Sequence, residues 1–268
     1  MRRFDPQVFP RAGAGVVLLV TTAVLFSWPG LATVTRSETS WWMTGALLLM
    51  PLVVLALLWW VEPAHGTIRV VALVGVLAAL AALARIVSVG VGGLEWVFIV
   101  VILAGRVLGA RWGFVVGALS IAVSSLVWGG VGPWTSFQMA AVGAVAAGAG
   151  LLPHGRSTGV LHRGERMMLA GYGILASYLF GLVMNLWFWP IAVGPETSLS
   201  FDPSLPWSDQ LGRFLLYSLT TSTLTWDSVR AVVTATGILL VGGPVLRALR
   251  RVHSRVPGPG PLPVVAEA

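Results

Sequence analysis

A glycine-rich turn followed by polar side chains offers the first place where this chain could bind a ligand. Residues 129–132 contain three glycines, and Trp134, Thr135 and Gln138 follow within two helical turns. Glycine permits close backbone approach, and the three side chains supply a flat ring and hydrogen-bonding groups. A bilayer cannot hydrate polar groups, so a polar turn between apolar segments must lie at an interface or line a cavity. Asn185, near the end of a later apolar stretch, is expected at the same level.

Four charged residues near the same level could contact a ligand or pair with one another. Arg85 directly follows an alanine-rich run and is the most deeply placed charge. An ionisable group inside a membrane is costly and faces a cavity or a partner, so Arg85 either contacts the ligand or pairs with Glu95. Asp227 and Arg230 open the last apolar segment, where Asp227 is expected to cap the helix or to take a partner.

Several chemistries lack their usual residues. Cysteine and lysine are absent, which excludes thiolate sites and the lysine of a phosphate loop. The four histidines fall between apolar segments, and no acid lies in the middle of one, so we expect no metal, no cofactor and no catalytic activity. The net charge of +7 does not indicate nucleic acid, because the arginines punctuate apolar stretches instead of clustering on a hydrated face.

Composition identifies the class of fold. The chain has 268 residues, of which 56% are hydrophobic and only 10% are charged. A membrane-crossing helix takes about 20 apolar residues. The sequence therefore predicts an all-α integral membrane protein with eight spans, at roughly 13–34, 43–61, 68–90, 94–108, 112–128, 137–152, 167–190 and 228–246.

The spans divide into three regions. Residues 1–66 hold two helices and end in a short polar break at 62–66, and we expect the first helix to stay as an anchor, because no convincing signal-peptide cleavage site follows it. Residues 67–252 form a six-helix core. Residues 253–268 are proline-rich and are predicted to be a disordered cytoplasmic tail. The polar stretch 191–226 is expected outside, with 212–224 as a helical lid.

Arginine and tryptophan predict the orientation. With both termini in the cytoplasm, all arginines except Arg36, Arg85, Arg213 and Arg230 lie inside, as the positive-inside rule requires of a plasma-membrane protein. All tryptophans except Trp59, Trp60 and Trp112 then lie near the outer ends. An asymmetric aromatic belt explains part of this bias. The remainder predicts an aromatic-walled, outward-facing pocket that includes Trp96, Trp128, Trp134 and Trp226.

Two small residues one helical turn apart, Ala78 and Ala82, lie in the alanine-rich run before Arg85. Such spacing lets another helix approach closely. The neighbour is either a helix of this bundle or a helix of a partner protein.

Two stretches resemble a known family. The first covers 78–139: the alanine run ending in Arg85, the turn Gly-Arg-Val-Leu-Gly at 105–109, and Gly-Pro-Trp-Thr-Ser-Phe-Gln-Met at 132–139. The second covers 216–251, with Ser222, Trp-Asp at 226–227, Arg-Ala at 230–231, Gly-Gly-Pro at 242–244 and the arginine-rich end. These residues resemble the substrate-binding S components of energy-coupling factor (ECF) transporters, and are most similar to the cobalamin-type branch.

The resemblance implies an S-component-like six-helix bundle to which this chain adds two N-terminal transmembrane helices. It implies a vitamin-binding subunit, for cobalamin or a related precursor, that joins a transmembrane coupling subunit and two cytoplasmic ATPases within the lipid bilayer. Ala78 and Ala82 would dock on the coupling subunit. The expected pocket residues are Arg85, Trp96, Trp128, Trp134, Thr135, Gln138, Asn185 and Trp226.

Two other functions remain open from the sequence. One is a membrane-embedded enzyme acting on a lipid or isoprenoid through Arg85, Glu95 and Asp227. The other is a structural membrane subunit whose tryptophans serve only as anchors.

Overall fold

Helices make up all the regular secondary structure of the residues described by the computed structural model, which are 8–35, 39–61, 68–88, 94–153, 163–194 and 197–254. The helices are α1 (Val8–Phe26), α2 (Trp28–Thr35), α3 (Thr39–Val61), α4 (Ile68–Ser88), α5 (Val97–Val127), α6 (Pro133–Leu151), α7 (Arg163–Ala192), α8 (Trp207–Ser218) and α9 (Ser228–Ser254). A nine-residue π-helical segment, Leu219–Asp227, joins α8 to α9. The prediction of an all-α fold is confirmed for these residues.

Five helical runs among the described residues are long and apolar enough to cross a bilayer. They are Thr39–Trp59, Ile68–Ser88, Val97–Val127, Arg163–Ala192 and Trp207–Ser254. The pair α1 and α2, bent by 73° at Ser27, gives a sixth if it is counted as one span. The chain is therefore a multi-pass membrane protein with five to six candidate spans, fewer than the eight predicted.

Two of the predicted spans account for the difference beyond the bent pair: α6 is not among the candidate runs, and two predicted spans are merged at Gly109, inside α5. Its backbone angles, φ 82° and ψ 172°, are not helical and suit glycine. A Cβ added to Gly113 would lie 2.8 Å from the Cα of Gly105, although residues eight apart in a straight helix are about 12 Å apart. The chain therefore reverses at Gly109 into two arms, 97–108 and 110–127, which correspond to two of the predicted spans.

Glycines let these arms and α6 approach backbone to backbone. A side chain on Gly105 would overlap the carbonyl of Ala146 in α6, and one on Gly117 would lie 2.6 Å from the carbonyl of Val142. Gly150 lies equally close to the backbone at the Gly109 turn. Such close contact replaces the hydrophobic effect, which gives no net attraction between helices in lipid.

The run from α8 through the π-helical segment to α9 lies antiparallel to α7. Arg166 donates to the carbonyl of Leu239, and a side chain on Gly173 would contact Thr234. Towards the other end of α7, Trp189 packs against Phe214. The predicted lid, 212–224, is thus part of one long helical run with α9.

The N-terminal helices share a hydrophobic cluster with α5, α6 and α7. Phe137 packs edge-on to Phe26 and stacks on Trp187 with ring centroids 4.1 Å apart. The indole N–H of Trp28 donates to the carbonyl of Trp187 at 3.0 Å. These contacts attach α1 and α2 to α6 and α7. The polar break at 62–66 and residues 255–268 of the predicted tail lie outside the described residues, while 253 and 254 end α9.

We expect Gly105→Ala to lower the free energy of unfolding by about 2 kcal/mol or more, because its methyl group overlaps backbone that cannot move aside. Gly75→Ala is the matched control, since Gly75 lies on an exposed face of α4 with open space around it. That control should be neutral or stabilising by up to about 1 kcal/mol. Denaturant unfolding in detergent micelles measures both, and equal effects would contradict the packing at Gly105.

Candidate functional site

A buried arginine holds two carboxylates together at one end of the bundle, which we call the Arg230 end. Arg230 donates to Glu95 at 2.7 and 3.2 Å and to Asp227 at 2.6 Å. Its guanidinium also lies 4.9 Å from the ring centroid of Phe180 and 5.5 Å from that of Phe98. Charge-assisted hydrogen bonds and aromatic faces together offset the free-energy cost of removing this cation from water.

The π-helical segment brings Asp227 to this position. The Asp227 side chain is only 1% exposed and lies directly on the backbone of Gly181 in α7, where any side chain would overlap it. Ser222 donates to its second oxygen at 3.0 Å. Asp227 lies within a continuous helical run, so it pairs with Arg230 instead of capping a free helix end. π-Helical turns are rare and occur often at functional sites.

Asn185 extends this polar network along α7. Its amide donates to Ser218 at 2.9 Å and to Ser222 at 2.7 Å. Through Ser222 it lies one hydrogen bond from Asp227. The predicted site residue Asn185 is therefore connected to the ionic group without contacting it.

Arg85 approaches from α4 and bonds only to neutral groups among the described residues. It donates to Ser124 Oγ at 2.8 Å and to Gln138 Oε1 at 3.0 Å. No carboxylate of the described residues lies within ion-pair distance of it, because Glu95 is taken by Arg230. The expected alternative of a direct Arg85–Glu95 pair is thus replaced by a Glu95–Arg230 pair.

A cavity of about 190 Å³ separates Arg85 from the Arg230 ion pair. Its polar lining comes from Arg85, Glu95, Gln138 and Arg230. Its apolar lining comes from Val97, Ile121, Val142, Phe180 and Met184. We call this space the Arg85 cavity. It combines an enclosed apolar wall with a few convergent polar groups, the arrangement expected of a small-molecule site.

The other predicted pocket residues lie outside the lining of this cavity. Trp96, Trp128, Trp134 and Trp226 are between 41% and 55% exposed. Thr135 is buried and accepts a hydrogen bond from the backbone of Gly132 at 3.0 Å, which fixes the start of α6. The ring of Trp134 folds back onto Gly132, where a side chain would overlap it.

Most of the lining was absent from the sequence-based pocket, and four of the absent lining or supporting residues are Ser124, Phe180, Met184 and Arg230. The sequence does single out Arg230, since it is a charged residue within an apolar stretch and close to Asp227. The other three look like ordinary residues of apolar helices, and nothing in their local sequence distinguishes them.

A second ionic group lies at the opposite end of the bundle, the Arg106 end. Glu165 pairs with Arg106 at 2.7 Å and with Arg250 at 2.5 Å. Arg106 also donates to the carbonyls of Leu152 and Pro153. These bonds tie α5, α7 and α9 to the residues that follow α6, and they satisfy a guanidinium that is almost wholly buried.

The small-residue pair of α4 faces the inside of this chain. Ala78 and Ala82 are 3% and 2% exposed, and α4 packs chiefly on α5. Of the two alternatives for these alanines, the structure shows packing within this chain. The exposed face of α4 carries other small residues, namely Ala72, Gly75 and Ala79.

A larger cavity of about 400 Å³ lies between α1, α6 and α7. Its lining is almost wholly apolar, with Thr22, Ser27 and Tyr172 as the exceptions. Among the described residues, no group of three or more histidines and acids is placed to hold a metal ion.

The fold and the site define a multi-pass α-helical membrane protein with a small polar cavity among its helices. Comparisons with protein-family models, curated proteins and solved structures find no match to this chain.

We expect Arg230→Gln to lower the free energy of unfolding by about 3–5 kcal/mol, because it leaves the buried carboxylate of Asp227 without its cation. Combining it with Asp227→Asn should cost less than the sum of the two single changes, by about 1 kcal/mol or more. Arg251→Gln on the exposed surface of α9 is the control and should change little. Additive effects of the two changes would contradict the pairing.

Proposed function

We propose that this chain is the substrate-binding membrane subunit of an ECF-type importer, and that it binds a micronutrient in the Arg85 cavity. The main support is a cavity between membrane helices whose lining includes Arg85. Among the described residues, this cation hydrogen-bonds only to neutral groups. Such a cation favours a ligand that supplies the missing negative charge. The resemblance of 78–139 and 216–251 to S components supports the same function.

The size of the cavity bears on the substrate. Pockets for drug-sized ligands measure about 300–1,000 Å³, whereas the Arg85 cavity measures about 190 Å³. Cobalamin, the substrate expected from the resemblance, is larger than a drug-sized ligand. It would require the lining helices to separate, so the cavity as it stands favours a smaller substrate.

The proposed partners are a transmembrane coupling subunit and two cytoplasmic ATPases. The bundle has no nucleotide-binding motif of its own, so transport against a gradient would need that module. Since Ala78 and Ala82 are buried, docking through α4 would use its exposed face, where Ala72, Gly75 and Ala79 permit close helix approach.

The enzyme alternative receives less support from the site. A general acid or base must be free to exchange a proton with substrate. Both carboxylates of the site, Glu95 and Asp227, are held by Arg230, and Asp227 is almost fully buried. The geometry therefore suits binding better than acid–base chemistry.

Native mass spectrometry of the complex extracted from its host in mild detergent tests the proposal. We expect the chain to co-purify with a coupling subunit and two ATPases, with a small bound mass. Ala79→Leu, on the exposed face of α4, should abolish that co-purification without unfolding the chain, while Leu80→Ala on the same face should preserve it. A folded wild-type chain that never carries these partners would overturn the proposal.

In the proposed orientation, the chain lies in the plasma membrane and both of its termini are in the cytoplasm. The chain has no cysteine, so one introduced cysteine reports its own side of the membrane. Ser208→Cys, exposed at the Arg230 end, should react in intact cells with a membrane-impermeant thiol reagent. Ser254→Cys, exposed at the Arg106 end, should react only after permeabilisation. The reverse pattern would contradict the orientation.

A further inference from the structure

We infer that the Arg85 cavity takes a small zwitterion, whose carboxylate binds Arg85 and whose ammonium group binds Glu95. The inference rests on the proposed function in one respect, that this cavity is the substrate site. It names a substrate class that neither the resemblance nor the comparisons supply.

The Arg85 side of the cavity calls for an anion. A guanidinium has five N–H donors in a planar fork that matches a carboxylate. Arg85 donates to one hydroxyl and one amide oxygen, and neither carries charge. A carboxylate would add opposite charge to the hydrogen bonds and can accept two parallel N–H bonds from the guanidinium, so an anionic group would displace or join these neutral partners.

Glu95, which lines the same cavity, calls for a cation. The single positive charge of Arg230 is shared by two carboxylates, which leaves that group with one excess negative charge if both are ionised. The Glu95 side chain is 33% exposed, whereas Asp227 is 1% exposed. The excess charge is therefore accessible at Glu95, which lines the cavity.

Charge balance then favours a ligand with both signs. Arg85 contributes one positive charge and the Arg230 group contributes one negative charge, so the lining as a whole is neutral. A ligand with only a carboxylate would satisfy Arg85 but add a second excess negative charge beside Glu95. A ligand with only an ammonium group would create the opposite imbalance. Both imbalances are costly between partly buried charges, which are screened less than charges in open water.

The volume limits the length of the ligand. The cavity of about 190 Å³ is smaller than the pockets of about 300–1,000 Å³ that hold drug-sized ligands. This size favours a short amino acid over a corrinoid.

The probes are the ω-amino acids from glycine to 6-aminohexanoate, which vary the spacing of the two charges. Each is compared with the alkanoate and the alkylamine of the same length. Binding is measured by calorimetry and by the shift in thermal unfolding of the full chain in lipid nanodiscs. We expect at least one ω-amino acid to bind, and its single-charge analogues to bind about tenfold more weakly or worse.

Two substitutions assign the two ends of the ligand. Arg85→Gln should remove the preference for the ω-amino acid over the alkylamine, and Glu95→Gln should remove its preference over the alkanoate. Arg213→Gln is the matched control, since Arg213 bonds to the carbonyl of Ser200 and does not line the cavity. If Glu95→Gln fails to fold, the analogue series on the wild-type chain still decides the inference.

Two results would overturn the inference. One is equal or tighter binding of the single-charge analogues. The other is the absence of binding across the whole series up to millimolar concentrations. Either can occur while the chain still co-purifies with a coupling subunit and ATPases, which would preserve the proposed function. Conversely, zwitterion binding by a chain without those partners would preserve the inference and remove the importer.

Discussion

The pairing of Arg230 with Glu95 and Asp227 is the interaction on which the rest of the Arg230 end depends. It joins the start of α5 to the π-helical segment and to α9, which lie more than 130 residues apart in the sequence. Burying Arg230 and Asp227 is costly, and their mutual contact, Glu95, Ser222, the carbonyl of Ser177 and the two phenylalanine rings offset that cost. The Arg85 cavity owes its Glu95 wall to this arrangement.

The same pairing explains the backbone around it. Asp227 reaches Arg230 only because α7 has glycine at position 181, so the carboxylate can lie against helix backbone. The wider π-helical turn before Asp227 places Ser222 beside both that carboxylate and Asn185. One buried charge, that of Asp227, is thus stabilised by the π-helical turn, by the absence of a side chain at Gly181 and by three polar contacts.

Much of the local structure could be predicted from the sequence, because glycine, proline and hydropathy act over short distances. The turns at 109 and at 129–132 were visible as glycine clusters, and Gly109, Gly129 and Gly130 do adopt positive φ. It was harder to predict which side chains of a helix are buried and which are exposed. Helices that are apolar all round carry no amphipathic signal, so the buried face of α4 at Ala78 and the exposed positions of Trp96 and Trp226 could not be predicted. The partner of Glu95 depends on tertiary packing, and the nearer arginine in sequence was the wrong choice.

The short first arm of α5 sets the distance between the two ionic groups of the bundle. Phe98, which packs on Arg230, and Arg106 are eight residues apart in that arm, so about 12 Å of helix separates the two ionic groups. A membrane potential of 100 mV is worth about 2.3 kcal/mol for each elementary charge that crosses it. A ligand with a net charge would gain or lose part of that energy if it passed through the bundle. A net-neutral ligand of the Arg85 cavity would pass without electrical work.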